Sequence, residues 1–203
     1  MNPPSPLPRD WGAYYRRLAD RPPRRTAMSA LDLAGAPRPE DRAADLGCGS
    51  GRDAIEFLRR GWPLTAIDAE PEALRQLLGC PDLPSGASVH AVVARHENAP
   101  LPEDLAIVNS SFSLPLCAPP DFDRVWRRIG RALRPGGRFC GQWYGERDSW
   151  NGRAGITFLA RSAALERLSG FELELFEEEE TEGVTAHGNT KHWHIFHIVA
   201  RKR

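Results

Sequence analysis

The sequence predicts an α/β fold: a doubly wound, seven-stranded mixed sheet with helices on both faces and an antiparallel hairpin at its C-terminal end. Three observations carry this. From Arg42 onward, strand-like runs alternate with helix-like ones, the pattern of a parallel sheet covered by helices. A glycine loop, Gly47-Cys48-Gly49-Ser50-Gly51, joins the first such strand to its helix. The last two strand-like segments, Phe171 to Phe176 and His192 to Ala200, have only Gly183, Gly188 and Asn189 as breakers between them, so they close as a hairpin.

The elements follow in order. The first ten residues include four prolines and read as an extended tail. Trp11, Tyr14, Tyr15 and Leu18 fall at i, i+3, i+4 and i+7, one face of a short helix capped by Asp10 and stopped by Pro22 and Pro23. A second helix spans about Thr26 to Ala34 and ends at Gly35. Strands are expected at 42–46, 63–67, 89–94, 105–109 and 138–144, and helices at 52–60, 71–78, 122–133 and 157–168. Pro71 sits in the first turn of its helix, where its missing N–H costs nothing. Residues 1–41 thus form a tail and helical cap, and residues 42–203 the ligand-binding domain.

Composition excludes several classes of function. At 203 residues, with about 150 per domain as the usual scale, the chain is one domain with a small appendage. Its 27 Lys+Arg balance 27 Asp+Glu, which removes any global pull toward nucleic acid or an anionic membrane. No apolar run approaches the roughly 20 residues that span a bilayer, and the N-terminal residues lack the apolar stretch of a secretory signal. The expected location is the cytoplasm. Cys48, Cys80, Cys117 and Cys140 lie 23 to 37 residues apart, without the pairing of a zinc ribbon, and are expected as free thiols.

The glycine loop lets a ligand approach backbone at the carboxyl end of the first strand, where open α/β sheets bind. The next strand ends Ala66-Ile67-Asp68-Ala69-Glu70, placing Asp68 17 residues after Gly51, a position suited to ribose hydroxyls. A dinucleotide needs a seat for its pyrophosphate, yet here Asp45 precedes the loop and Asp53 opens the helix. Two carboxylates repel a pyrophosphate and suit a cationic or zwitterionic ligand, which favours S-adenosylmethionine over NAD.

With D-L-G-C-G-S-G-R-D at 45–53, I-D-A-E at 67–70, I-V-N-S-S at 107–111 and L-R-P-G-G-R-F at 133–139, the chain resembles the class I S-adenosylmethionine-dependent methyltransferases, with their Rossmann-like sheet. The resemblance implies that Gly47, Cys48, Gly49 and Gly51 cradle the methionine part, with Asp45 near its ammonium and Asp53 beside the loop. It implies Asp68 on the ribose, Ala69 next to the adenine, and Glu97 and Asn98 at the adenine edge, although the family's usual Asp is absent there. Asn109 and Ser110 fall where the family presents groups to methionine or substrate. Size, Asp148-Ser149-Trp150 and the C-terminal K-H-W-H-I-F-H-I-V-A-R-K are similar to the small bacterial branch that includes tellurite-resistance methyltransferases.

Other candidates concern the acceptor. Trp11, Tyr14 and Tyr15 would roof the site, or simply pack as an amphipathic helix. Arg147 would hold an anionic substrate or remain a solvated loop residue. His192 and His194 share one strand face with Phe196 and Ile198, while His197 faces away with Trp193 and Ile195. They read as substrate-site imidazoles or as satisfied surface groups, and no carboxylate or cysteine pattern completes a metal site. The acidic run 177–180 reads as a solvated edge or loop. The arginines of the N-terminal segment, Arg9, Arg16, Arg17, Arg21, Arg24 and Arg25, leave room for a small anionic acceptor. The expected activity is methyl transfer to a small molecule by proximity and orientation, with no residue assigned as catalytic and no nucleic-acid or membrane partner. An inactive S-adenosylmethionine-binding sensor is the alternative.

Overall fold

The structure is a computed structural model that describes residues 21–185 and 188–203. The expected helix bearing Trp11, Tyr14 and Tyr15 lies outside the described residues. Helix α1 spans Arg25–Ala34, β1 Ala43–Leu46, α2 Ala54–Arg59, β2 Leu64–Asp68, α3 Pro71–Leu78 and β3 Val89–Val93. A single 3-10 turn, His96–Asn98, precedes β4 at Leu105–Ser110 and α4 at Pro119–Ala132. Then come β5 Leu133–Gly145, β6 Phe158–Leu159, α5 Arg161–Arg167, β7 Phe171–Val184 and β8 Thr190–Lys202.

The strands lie in the order β3-β2-β1-β4-β5-β8-β7. The first five are parallel; β8 runs antiparallel to both β5 and β7. This is the expected mixed sheet, with β6 added as a short parallel partner of Tyr144 and Gly145. Because the chain winds outward from β1 through β3 and returns to start β4 on the other side of β1, a crevice opens between the carboxyl ends of β1 and β4.

Packing explains where the elements stop. In α4, Phe122, Val125, Trp126 and Ile129 recur at helical spacing and are all buried against one face of the sheet. Trp126 meets Phe139 and Trp143 edge-on at 4.9 Å from each ring, a geometry favoured by the ring quadrupoles. The opposite face takes Ala27, Ala30 and Leu31 of α1, Phe57 and Leu58 of α2 and Leu74 and Leu77 of α3. Each large side chain so buried contributes roughly 1.5–3 kcal/mol before ordering costs.

Three elements differ from expectation for local reasons. The helix expected from Thr157 begins at Arg161, because the Thr157 N–H and hydroxyl donate to the Pro115 and Cys117 carbonyls at 2.8 Å each, and residues 158–159 pair with β5. The Arg134-Pro135-Gly136-Gly137 segment is absorbed into β5 as an irregularity between Leu133 and Arg138. Strand β7 continues to Val184, carrying the acidic run inside the ladder rather than in a loop, since β8 supplies imidazoles opposite it and Arg25, Arg147 and Arg161 pair with its carboxylates.

Candidate functional site

At the carboxyl end of the parallel strands lies a cavity of about 550 Å³, within the range of small-molecule sites. One end is the glycine loop. The Gly47 and Cys48 N–H groups donate to the Ile67 carbonyl at 2.7 and 3.0 Å, tying the loop to β2. Gly47 has φ +79°, and a Cβ there would fall 1.7 Å from Ser113 Oγ, so the position is reserved for glycine by backbone and space alike. Gly51, at φ +96°, is held for a different reason: a Cβ would meet Leu77 of α3 at 2.5 Å.

Asp45, Gly47, Cys48, Gly49, Asp53, Asp68 and Ala69 all line the cavity. Asp68 accepts the Gly49 N–H at 2.8 Å and the Glu70 N–H at 2.9 Å, which presents its carboxyl at the tip of β2. Asp45 and Asp53 are joined by Asn109, whose amide donates to Asp45 Oδ1 at 2.8 Å and Asp53 Oδ2 at 3.3 Å. Asp53 also accepts the Arg24 N–H at 2.7 Å. Among the described residues, the second oxygen of Asp45 is buried with no hydrogen-bond partner. Burial, with Asp53 and Asp68 nearby, pushes the Asp45 carboxyl well above the usual carboxylate range, against the Asn109 bond that pulls it down.

Asn109, Ser110, Gly51, Glu97 and Asn98 stand behind this surface. Ser110 donates to the Leu46 carbonyl at 2.9 Å and accepts the Leu114 N–H at 3.0 Å, fixing the chain after β4 against β1. Glu97 and Asn98 complete the 3-10 turn, where Arg128 of α4 donates to the Glu97 carbonyl at 3.0 Å. The end of β3 reaches the cavity instead through Ala94, Arg95 and His96. His96 Nε2 lies 2.8 Å from Ser113 Oγ, and burial lowers its pKa from 6.5 to about 4, so it is neutral at pH 7.

The other end of the cavity is aromatic. Phe112, Tyr144, Trp150 and Trp193 line it with Leu116, Ile195 and His197. Phe112 has φ +53°, rare for a bulky side chain, and its N–H donates to Gln142 Oε1 at 3.1 Å. Arg24 lies over its ring at 4.3 Å. Behind Trp193 and Trp150, the Lys191 ammonium sits 4.0 and 4.5 Å from the ring centres and pairs with Asp148, both side chains 0 % exposed.

The remaining acceptor candidates are placed elsewhere. Arg147 binds Glu178 and Glu180 at 2.7 Å each, holding Glu180 near a pKa of about 2. His192 bridges Glu182 and Glu180 at 2.6 and 3.0 Å. His194 is buried, accepts the Arg147 N–H at Nδ1 and donates from Nε2 to Glu178, at 3.0 and 2.9 Å, which fixes it as a neutral tautomer. These three form an ion network on the far side of β7 and β8 from the cavity. The period-two pattern of β8 separates them from Trp193, Ile195 and His197; which set faces the ligand depends on how the hairpin docks on β5, and no local signal carries that. Among the N-terminal arginines, Arg21 and Arg24 line the cavity with Arg52, while Arg25 pairs with Glu177.

Among the described residues, no group of three or more His, Cys, Asp or Glu could hold a metal ion, and no helix is long and apolar enough to cross a membrane. All four cysteines are free.

Residues 43–137 match the family model of a methyltransferase domain. No curated protein sequence matches the chain. TehB from Haemophilus influenzae superposes with a TM-score of 0.74 at 16% identity, covering 87% of this chain and 61% of that one. This chain therefore spans about three-fifths of the TehB length. A TehB-like S-adenosylmethionine-dependent methyltransferase from Corynebacterium glutamicum gives 0.63 at 20% identity, over 95% and 96% of the two chains. The Burkholderia thailandensis 1,6-didemethyltoxoflavin-N1-methyltransferase, solved with 1,6-didemethyltoxoflavin and S-adenosylhomocysteine, gives 0.66 at 19%, over 100% and 93%. Residues 43–137 thus carry the match to a methyltransferase domain, and the fold is shared with these S-adenosylmethionine-dependent methyltransferase structures.

Proposed function

We propose that this protein transfers the methyl group of S-adenosylmethionine to a small-molecule acceptor. The observation that carries the reading is the buried oxygen of Asp45, without a hydrogen-bond partner among the described residues, beside the Gly47–Gly49 backbone. An acceptor atom buried without a donor costs roughly 1–3 kcal/mol, and an ammonium placed there removes that cost. Asp45 would hold the amino group of the methionine part, with Asp53 and Asn109 setting its orientation and Ser110 bracing the strand end. Gly47, Cys48 and Gly49 would offer backbone to the methionine chain, and Gly51 seats the loop on α3. Asp68, at the tip of β2, would meet the ribose diol. Ala69 and His96 would flank the base, with Glu97 and Asn98 supporting the turn that carries His96.

When bound, S-adenosylmethionine supplies a methyl group already activated on a sulfonium. The chain's part is to hold the acceptor in line with it and to exclude water, and alignment of this kind is worth several kcal/mol. The cavity of about 550 Å³ is shared between donor and acceptor, which supports a small acceptor. The Burkholderia neighbour, a 1,6-didemethyltoxoflavin-N1-methyltransferase, is in keeping with a small-molecule acceptor.

Calorimetric titration with S-adenosylmethionine and S-adenosylhomocysteine tests the reading; micromolar binding of both is expected, and binding of neither overturns it. Appearance of S-adenosylhomocysteine with an added acceptor then demonstrates transfer, whereas binding without turnover across a broad acceptor panel makes the chain a sensor.

A further inference from the structure

Resting on that reading, we propose that the acceptor is a planar aromatic molecule carrying an ionisable O–H or N–H, stacked against Phe112, Tyr144 and Trp193, with His197 as the base that removes its proton.

Four features of the cavity lead there. The first is the Phe112 backbone, whose left-handed conformation a phenylalanine adopts only under constraint; such strain concentrates at ligand sites. It sets the Phe112 ring 6.3 Å from Tyr144, 6.4 Å from Trp193 and 6.4 Å from His197, the last two edge-on. The second is that these rings line the same cavity as the glycine loop, so a flat molecule stacked on them shares one enclosure with the methyl donor.

The third is the charge behind the wall. The Lys191 ammonium, 4.0 Å from the Trp193 ring and 4.5 Å from that of Trp150, draws their electron density away from the cavity. A wall polarised from behind loses attraction for a cation and stacks well on an electron-rich ring or its anion. The fourth is the imidazole. His197 Nε2 lies 2.7 Å from Glu179 Oε2. With the carboxylate accepting from Nε2–H, the lone pair rests on Nδ1, which has no hydrogen-bond partner among the described residues; this is the arrangement of a carboxylate-oriented base. The charged groups around His197 are Glu177 opposite it and Glu179 on β7, with Glu178, Glu180, Arg24, Arg25 and Arg52 lining the adjoining pocket.

The step balances. The acceptor O–H or N–H bond gives its proton to His197 Nδ1, and the freed lone pair forms the bond to the methyl carbon. The carbon–sulfur bond breaks with its electron pair left on sulfur, and His197 then releases the proton to water.

The test uses the full chain loaded with S-adenosylmethionine, after calorimetry has established cofactor binding. The probes are 2-naphthol and benzimidazole, set against cyclohexylamine, 2-mercaptoethanol and iodide. S-adenosylhomocysteine formation is expected with the aromatic probes, and kcat should rise with pH through the titration of one group. His197→Asn should lower kcat about 100-fold or more and abolish that pH dependence, while cofactor Kd stays unchanged. Phe112→Ala should raise the aromatic KM about tenfold. Three results overturn the proposal: turnover confined to the non-aromatic probes, a His197→Asn enzyme that keeps wild-type kcat on 2-naphthol, or cofactor-loaded protein that neither binds nor methylates either aromatic probe. Failure of cofactor binding itself strikes at the proposed function instead.

Discussion

The Asn109 amide donates to Asp45 Oδ1 at 2.8 Å while its own oxygen accepts from Cys140 and Ser111 at 3.3 Å each, so the last polar residue but one of β4 is locked to face the end of β1. That bond satisfies one Asp45 oxygen; the other has no partner among the described residues. A buried acceptor without a donor costs stability, which a cationic partner would restore.

Asp45→Asn should therefore stabilise the free protein and cripple the loaded one. The folded Asp45 pKa lies above the unfolded value of 3.8, so the unfolded chain loses its proton first and stability falls as pH rises above about 4. Asparagine keeps an oxygen for Asn109 and carries no charge to desolvate. Thermal melts at pH 8 should show a higher Tm for the variant, by about 2–4 °C per kcal/mol in a chain of this size. Calorimetry should show S-adenosylhomocysteine bound about 10- to 100-fold more weakly, the loss of one charge-assisted hydrogen bond.

Gly47→Ala should damage the site through sterics. The new methyl would meet Ser113 Oγ in a backbone conformation that alanine resists. The expected cost is about 1–3 kcal/mol in urea unfolding, with cofactor binding reduced. Adding Ser113→Gly removes the clash but not the φ penalty, so the double variant should recover only part of the loss.

How legible this site was in the sequence depends on distance along the chain. Asp45, the glycines, Asp53 and Asp68 announce themselves because one strand-loop-helix unit and the tip of the next strand hold them, and local spacing fixes their geometry. The sheet, including its reversed final pair, was equally readable from alternation and from the missing helix before β8. The aromatic end was not. Phe112, Trp193 and His197 meet only because β8 inserts between β5 and β7, and a strand of period two shows which residues share a face but not which face meets the ligand. His192 and His194 drew attention as a cluster, yet the same parity puts them with Glu178, Glu180 and Glu182. The extra strand β6 is likewise a tertiary effect, set by Thr157 bonding to the segment after β4.

His96 gives the fold an acid-labile point. Its folded pKa of about 4 lies below the unfolded 6.5, so the native state binds fewer protons and stability is full above pH 6.5. It should fall as pH drops toward 4, by up to about 3 kcal/mol for a shift of this size. His96→Gln, which keeps a partner for Ser113 but does not titrate, should flatten that limb of a denaturant-midpoint against pH plot. An unchanged slope between pH 6.5 and 4 would show that His96 is not the responsible group.

Lys191 and Asp148 form the buried pair behind the aromatic wall, and Asp148 also accepts the Trp150 N–H at 2.9 Å. Removing one partner leaves a charge without compensation in a site where neither side chain is exposed. Lys191→Met should cost about 3–5 kcal/mol, whereas Lys191→Met with Asp148→Leu should cost much less, because burying two apolar groups of similar bulk avoids desolvating any charge. The coupling, read from a double-mutant cycle in urea, should exceed about 1 kcal/mol. The double variant also separates stability from recognition: with the ammonium gone, Trp193 and Trp150 regain electron density toward the cavity. Its affinity for an electron-rich aromatic probe should fall even where its Tm approaches that of the parent protein.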